Sequence, residues 1–147
     1  MASEKVPTSS VDQLPHTSGT ASTSTQLLTA SCHCGHVTLE LPSPPTELNE
    51  CRCTACYKYG ALWAYYPRGD VMVTVAATDK DVSLKEYVRS DKDSKASIGF
   101  YSCGHCGCMT HWWGLGEQEG DEKSMGVNGR MLPENAIEGV KRKISRR

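Results

Sequence analysis

Cys51-Arg52-Cys53-Thr54-Ala55-Cys56 places three thiols within six residues, in the pattern C-x-C-x-x-C. Upstream stands Cys32-His33-Cys34-Gly35, and downstream Cys103-Gly104-His105-Cys106-Gly107-Cys108. These three clusters hold all eight cysteines of the chain. A short knuckle lets two sulfurs reach one ion while the backbone turns tightly, so this spacing points to metal binding. Gly35, Gly104 and Gly107 suit such turns, because glycine adopts positive φ without steric penalty.

Two other uses of the cysteines compete with that reading. A disulfide framework belongs to short secreted chains, yet no signal-peptide pattern is evident and Cys51 and Cys53 are poor partners for each other. Unliganded core cysteines occur singly rather than in three knuckles. Thiolates select zinc over hard cations, and spacing alone leaves an iron–sulfur cluster open as well. Eight thiols could close two four-thiolate sites. Alternatively, Cys51, Cys53 and Cys56 could hold one metal alone while Cys32, Cys34, Cys103 and Cys106 close a second site across a long loop. A closed site is structural, whereas three ligands leave a position for water or substrate.

The 147 residues suffice for one domain with a moderate core. The net charge of −1 gives no argument for nucleic acid or a membrane surface as partner. No run of 18 apolar residues exists to span a bilayer. Residues 1–26 are rich in Ser, Thr and Pro and read as a disordered tail, since they cannot bury enough apolar surface to offset ordering. Order is expected from Leu27.

Alternation then predicts strands. Val37, Leu39 and Leu41 form one, ended by Pro42, Pro44 and Pro45; a second carries Leu48 into Cys51. Thr54 to Tyr59 reads as a helical turn with Thr54 as cap. Further strands are expected over Ala61 to Tyr66, at Val71, Val73 and Val75, around Val82, Leu84 and Glu86, over Ala96 to Ser102, over Met109 to Trp113 and over Lys123 to Val127. Pro133 to Val140 suits a short helix. The pattern predicts an all-β domain over 27–142, with residues 143–147 as a basic C-terminal tail. The run Lys141 to Arg147 reads as solvated, with a nuclear-targeting or nucleic-acid patch as the sharper alternative.

The three knuckles in this order, together with Val127-Asn128-Gly129-Arg130, resemble the glutathione-dependent formaldehyde-activating enzyme (GFA) family over about residues 28–142. The resemblance implies a β-tent-like fold of small antiparallel sheets stapled by zinc. It implies a structural zinc on Cys32, Cys34, Cys103 and Cys106 and a catalytic zinc on Cys51, Cys53 and Cys56, two per chain. The family's type activity is that of a carbon–sulfur lyase, interconverting S-(hydroxymethyl)glutathione with formaldehyde and glutathione. Cys108 stands where the family usually has a small or polar residue.

Asn128 and Arg130 match a family motif: Asn could orient a carbonyl or hydroxyl and Arg could pair with a carboxylate, while Asn-Gly-Arg is also good turn sequence. Candidates for moving a proton are His33, His105, His111, Tyr57 and Tyr65. His16 lies in the tail, and His36 is expected at the surface. Of Trp63, Tyr65, Tyr66, Trp112 and Trp113, one member of each neighbouring pair is expected to face outward, with room for an apolar or aromatic part of a substrate. The leading expectation is a zinc-dependent carbon–sulfur lyase acting on a small-molecule thiol adduct, glutathione-derived or a larger thioether. Its alternatives are a non-catalytic zinc-stabilised binding module and a redox or metal-handling protein using Cys108 with a neighbour. Zinc thiolates point to a reducing compartment, the cytoplasm or nucleus.

Overall fold

The computed structural model of the protein describes residues 27–77, 83–89 and 98–146. The tail expected over 1–26, His16 within it, Val82 and Ala96 lie outside the described residues. The elements in chain order are β1 (Leu28–Ser31), β2 (Val37–Leu41), β3 (Glu47–Cys51), α1 (Thr54–Tyr59), β4 (Trp63–Pro67), β5 (Met72–Val75), β6 (Leu84–Val88), β7 (Ile98–Cys103), β8 (Met109–Gly114), β9 (Ser124–Asn128), α2 (Glu134–Ile137) and β10 (Lys141–Ser145). The fold is mainly β, as the alternation predicts.

The strands form two sheets. A three-stranded antiparallel sheet runs β1-β2-β5, and a seven-stranded sheet runs β10-β3-β4-β9-β8-β7-β6. In β2 the buried positions are Val37, Leu39 and Leu41, the period-two pattern of a half-buried strand. They pack with Ala30 of β1 against Leu48, Ala64, Tyr66, Met125 and Val127 of the larger sheet, and this is the main core. Val73 and Val75 of β5 face the same core but stay half-buried, because β5 is an edge strand.

The larger sheet uses both faces. In β4, Ala64 and Tyr66 point into the main core, while Trp63 belongs to a second cluster with Cys53, Cys56, Ala61 and Phe100. The same alternation sends Trp112 of β8 to that second face and Trp113 to the first. Trp112 and Tyr65 flank Gly126 of β9 from either side. A side chain at Gly126 would collide with the Trp112 indole, so glycine there lets the aromatic ring lie across the strand.

The basic C-terminal run departs from expectation. Lys141–Ser145 is strand β10, paired in parallel with β3, so the boundary drawn at 142/143 falls inside a strand. As an edge strand, β10 carries exposed Lys141, Arg142 and Lys143, charges that discourage further pairing and hide its strand character in the sequence. The cap of α1 is also displaced by one residue: Cys53 is the N-cap, and Thr54 opens the helix. Of the three knuckle glycines, Gly35 and Gly107 have positive φ, whereas Gly104 is small because the Ser83 carbonyl closes on it. Among the described residues, no helix is long and apolar enough to cross a membrane.

Candidate functional site

Two hairpins from different sheets build the first cysteine group. Cys32 and Cys34 lie in the β1–β2 connection of the small sheet; in the large one Cys103 ends β7 and Cys106 lies in the β7–β8 connection. Their sulfurs converge to within 4.8 Å of one another. Cys34 Sγ stands 3.6 Å from both Cys32 Sγ and Cys103 Sγ. A tetrahedral ion with metal–sulfur bonds of about 2.3 Å spaces its sulfurs by about 3.8 Å, so this group suits one ion rather than a multi-iron cluster. The described cysteines are free thiols, which removes the disulfide framework.

The electrostatics agree. The His36 backbone N–H pulls the Cys34 thiol down, but burial and the neighbouring Cys32, Cys103 and Cys106 thiols push it up to about 12. At Cys106 burial acts upward and is outweighed by the N–H groups of Cys108 and Cys34 and by the Cys34 and Cys108 thiols, which bring it down to about 5. Ionising one thiol thus opposes ionising the next, and a cation is what lets the whole set ionise.

The second group, Cys51, Cys53 and Cys56, comes from the end of β3, the N-cap of α1 and its first turn; these sulfurs also lie within 4.8 Å of one another. Burial pushes the Cys56 thiol up against the pull of the Trp63 indole N–H, and the Cys53 and Cys51 sulfurs add to the rise. That N–H is buried toward Cys56 without a hydrogen-bond partner of regular geometry. Burial also acts upward at Cys53, but the Cys56 N–H and the Cys56 and Cys51 thiols bring it below its ordinary value. This trio too fits a cation.

The two groups sit on opposite faces of the large sheet, since Cys32 and Cys103 belong to the main core and Cys53 and Cys56 to the second cluster. Cys108 packs on the main-core side, beside Cys106 and Cys32. It cannot reach the trio, so two closed four-thiolate sites are excluded and the trio keeps its open side.

The trio borders two clefts. A cavity of about 70 Å³ is lined by the three thiols with Trp63, Tyr65, Phe100 and Trp112, and by Arg89 and Ile98. A polar cleft of about 310 Å³ is bordered by Cys51 and Cys56 together with Glu50, Tyr57, Arg130 and Arg142.

The family model described as glutathione-dependent formaldehyde-activating enzyme matches residues 27–139. The chain belongs to the GFA family. A crystallographically determined Rhodobacter sphaeroides protein shares the fold, with a TM-score of 0.56 at 23% identity over 79% of this chain and 100% of its own. Among curated proteins none matches. The match covers both cysteine groups and the Asn128–Arg130 motif, while Arg142 lies beyond it.

Asn128 of that GFA motif is buried in framework rather than presented to a cleft. Its Oδ1 accepts from the Leu62 and Arg130 backbone N–H groups, each at 3.2 Å, and its Nδ2 donates to the Met109 carbonyl at 2.8 Å. The side chain expected to orient substrate instead joins the residue before β4, β8 and the turn after β9; these bonds support the turn reading of the motif. Arg130 is exposed beside the trio, with Nε donating to the Gly60 carbonyl at 2.7 Å.

The histidines distribute away from the trio. His33 and His105 sit in the knuckles of the four-thiol group. His36, expected at the surface, is half-buried with Nδ1 at 3.0 Å from Cys34 Sγ. His111 lies on the opposite face of the sheet, stacked on Tyr101. Tyr57 and Tyr65 do border the clefts, and the Asn49 amide donates to Tyr65 Oη at 2.6 Å. Sequence reasoning missed Arg89, Glu50 and Arg142. None of the three carried a sequence signal: Arg142 lies in a run of exposed basic residues with no alternation.

Proposed function

We propose that this protein is a zinc-dependent carbon–sulfur lyase acting on a small thiol adduct of the S-(hydroxymethyl)glutathione type. The observation that supports this most is the three-thiol group set between two clefts, with the fold withholding a fourth cysteine. Cys51, Cys53 and Cys56 would hold the catalytic zinc; Cys32, Cys34, Cys103 and Cys106 would hold a structural one that ties the two sheets. When bound, zinc favours the thiolate form of a coordinating sulfur, which suits both the making and the breaking of a carbon–sulfur bond.

The residues around the trio divide the substrate between them. The aromatic cavity of about 70 Å³ is smaller than the roughly 150 Å³ void that admits benzene. It suits a carbon unit of a few atoms, which argues against the aromatic substrate portion that the tryptophans and tyrosines suggested. Trp63, Phe100 and Trp112 exclude water from that unit. Tyr65 lines the same cavity and is 47% exposed, and in this reading its hydroxyl would pass the adduct's hydroxyl proton to solvent as the carbonyl forms. The rest of the thiol lies in the polar cleft past Arg130. The reduced thiols that such a site needs support a reducing compartment, the cytoplasm or the nucleus.

The test is metal content joined to turnover. Protein never exposed to chelator is expected to hold two zinc ions per chain and to cleave S-(hydroxymethyl)glutathione. Cys53→Ala is expected to keep its fold and one zinc while losing cleavage at least a hundredfold. Full turnover by Cys53→Ala with one zinc would refute the proposal. Failure of the two-zinc protein to cleave any thiol adduct would move the reading to a binding module.

A further inference from the structure

The basic run that closes the chain contributes a side chain to the polar cleft. In the parallel pairing of β10 with β3, Arg142 stands opposite Leu48 and Ser145 opposite Cys51. This register carries the strand alongside the segment that delivers the first thiol of the trio. Arg142 lines the cleft with Cys51, Cys56 and Arg130.

Two of the charges nearest Arg142 in the pairing of β10 with β3 are matched by other groups. Lys141 pairs with Glu47 at 3.2 Å, and Glu50, the acid on the cleft wall, is held by Arg52 at 2.6 Å. The Arg142 side chain makes no ion pair or hydrogen bond among the described residues. Arg130 is anchored through Nε to the Gly60 carbonyl, which fixes its stem and leaves its terminal nitrogens without a partner among the described residues. Both arginines also border an adjoining groove of about 1010 Å³ that carries Glu134 and Glu138, and neither glutamate is ion-paired with them. The cleft therefore presents two guanidinium groups beside the metal-binding trio without a matching carboxylate. A guanidinium presents paired N–H donors that match the two oxygens of a carboxylate.

We propose that Arg142 and Arg130 form a carboxylate-binding subsite, and that the thiol handled by this protein is an anionic one whose carboxylate docks there while its sulfur meets the trio. This rests on the reading of the trio as the position of the substrate sulfur. It makes Arg142, in a stretch that reads as a solvated tail, a residue that selects the substrate. The small cavity takes the carbon unit, and the arginine pair takes the carrier.

The probe is S-methylglutathione, a thioether that keeps both carboxylates, compared with its diester, which has none. Calorimetric titration of the full-length, zinc-loaded protein is expected to show Arg142→Gln weakening S-methylglutathione binding about tenfold or more, the effect of losing a charge-assisted pair. The diester is expected to bind both proteins alike. Arg142→Lys restores part of the affinity, because it returns the charge without the fork. Zinc content and far-ultraviolet circular dichroism check that the variant is folded. In turnover, Arg142→Gln is expected to lower the preference for the glutathione adduct over the 2-mercaptoethanol adduct about tenfold in kcat/KM. Equal binding of S-methylglutathione by both proteins, or equal weakening of acid and diester, overturns the subsite. A protein that cleaves no adduct but binds S-methylglutathione through Arg142 refutes the lyase reading alone.

Discussion

His111 should make the fold acid-labile, and the size of the effect follows from its surroundings. Its ring is wholly buried, stacked on Tyr101 at 4.9 Å between ring centres and 4.6 Å from Trp113. The Thr110 hydroxyl gives its one proton to the Tyr101 carbonyl at 3.0 Å, so it must accept from His111 Nδ1 at 2.9 Å. That assigns the neutral ring with its proton on Nδ1 and its lone pair on Nε2, which is buried without a partner. A proton added at Nε2 would bury an unpaired cation. Burial, with the nearby Arg68 charge adding to it, lowers the pKa from 6.5 to about 3. Because the folded value lies below the unfolded one, the contribution to stability is whole above pH 6.5 and is lost as pH falls towards 3. At pH 5, one and a half pH units below the unfolded value, the loss is about 2 kcal/mol. The assay is urea denaturation of zinc-loaded protein from pH 8 to 4.5, for the wild type and for His111→Asn. Asparagine supplies a donor to Thr110 and does not titrate, and thiolate protonation affects both proteins equally. The wild type is expected to lose about 2 kcal/mol more than the variant between pH 8 and 5. Equal losses would refute the assignment of a buried neutral ring.

Gly126→Ala is expected to destabilise the fold by about 1–3 kcal/mol, because the new methyl overlaps the Trp112 indole and the ring must move out of the aromatic cavity. Thermal melting and tryptophan fluorescence check this, and an unchanged spectrum would show that Trp112 does not lie across β9. Ending the chain at Val140 removes β10 and uncovers β3, with an expected loss of about 2–5 kcal/mol from the lost ladder of hydrogen bonds. An unchanged urea midpoint would return residues 141–147 to the status of a solvated tail.

What the sequence made legible was local. Val37, Leu39 and Leu41 alternate within five residues, and β2 buries those positions. The stretch Thr54 to Tyr59 forms α1, with its cap one residue earlier than Thr54. What stayed hidden depended on partners far along the chain. β10 reads as a tail because its exposed lysines and arginine suit an edge, and it becomes a strand only through β3, some ninety residues earlier. Asn128 reads equally as a substrate group or a turn residue until Leu62 and Met109 close around its amide. His111 could have faced either cysteine group, and the irregularity between Tyr101 and Ser102 breaks the count that would have placed it.

The division of the cysteines shows the same boundary between local and non-local information. Spacing says that thiols cluster, but an eight-thiol chain divides into four and four as readily as into four and three with one over. Topology decides between them. The β1–β2 and β7–β8 connections meet on the main-core side of the large sheet, and Cys108 follows them there. The β3–α1 junction delivers Cys51, Cys53 and Cys56 to the opposite face. A sheet one residue thick separates Cys108 from the trio. Adding a fourth ligand would require a thiol on β4, β7 or β8 facing α1, where the chain has Trp63, Phe100 and Trp112. The open side of the trio is thus set by strand alternation: the positions from which a cysteine could close it are those that build the aromatic wall.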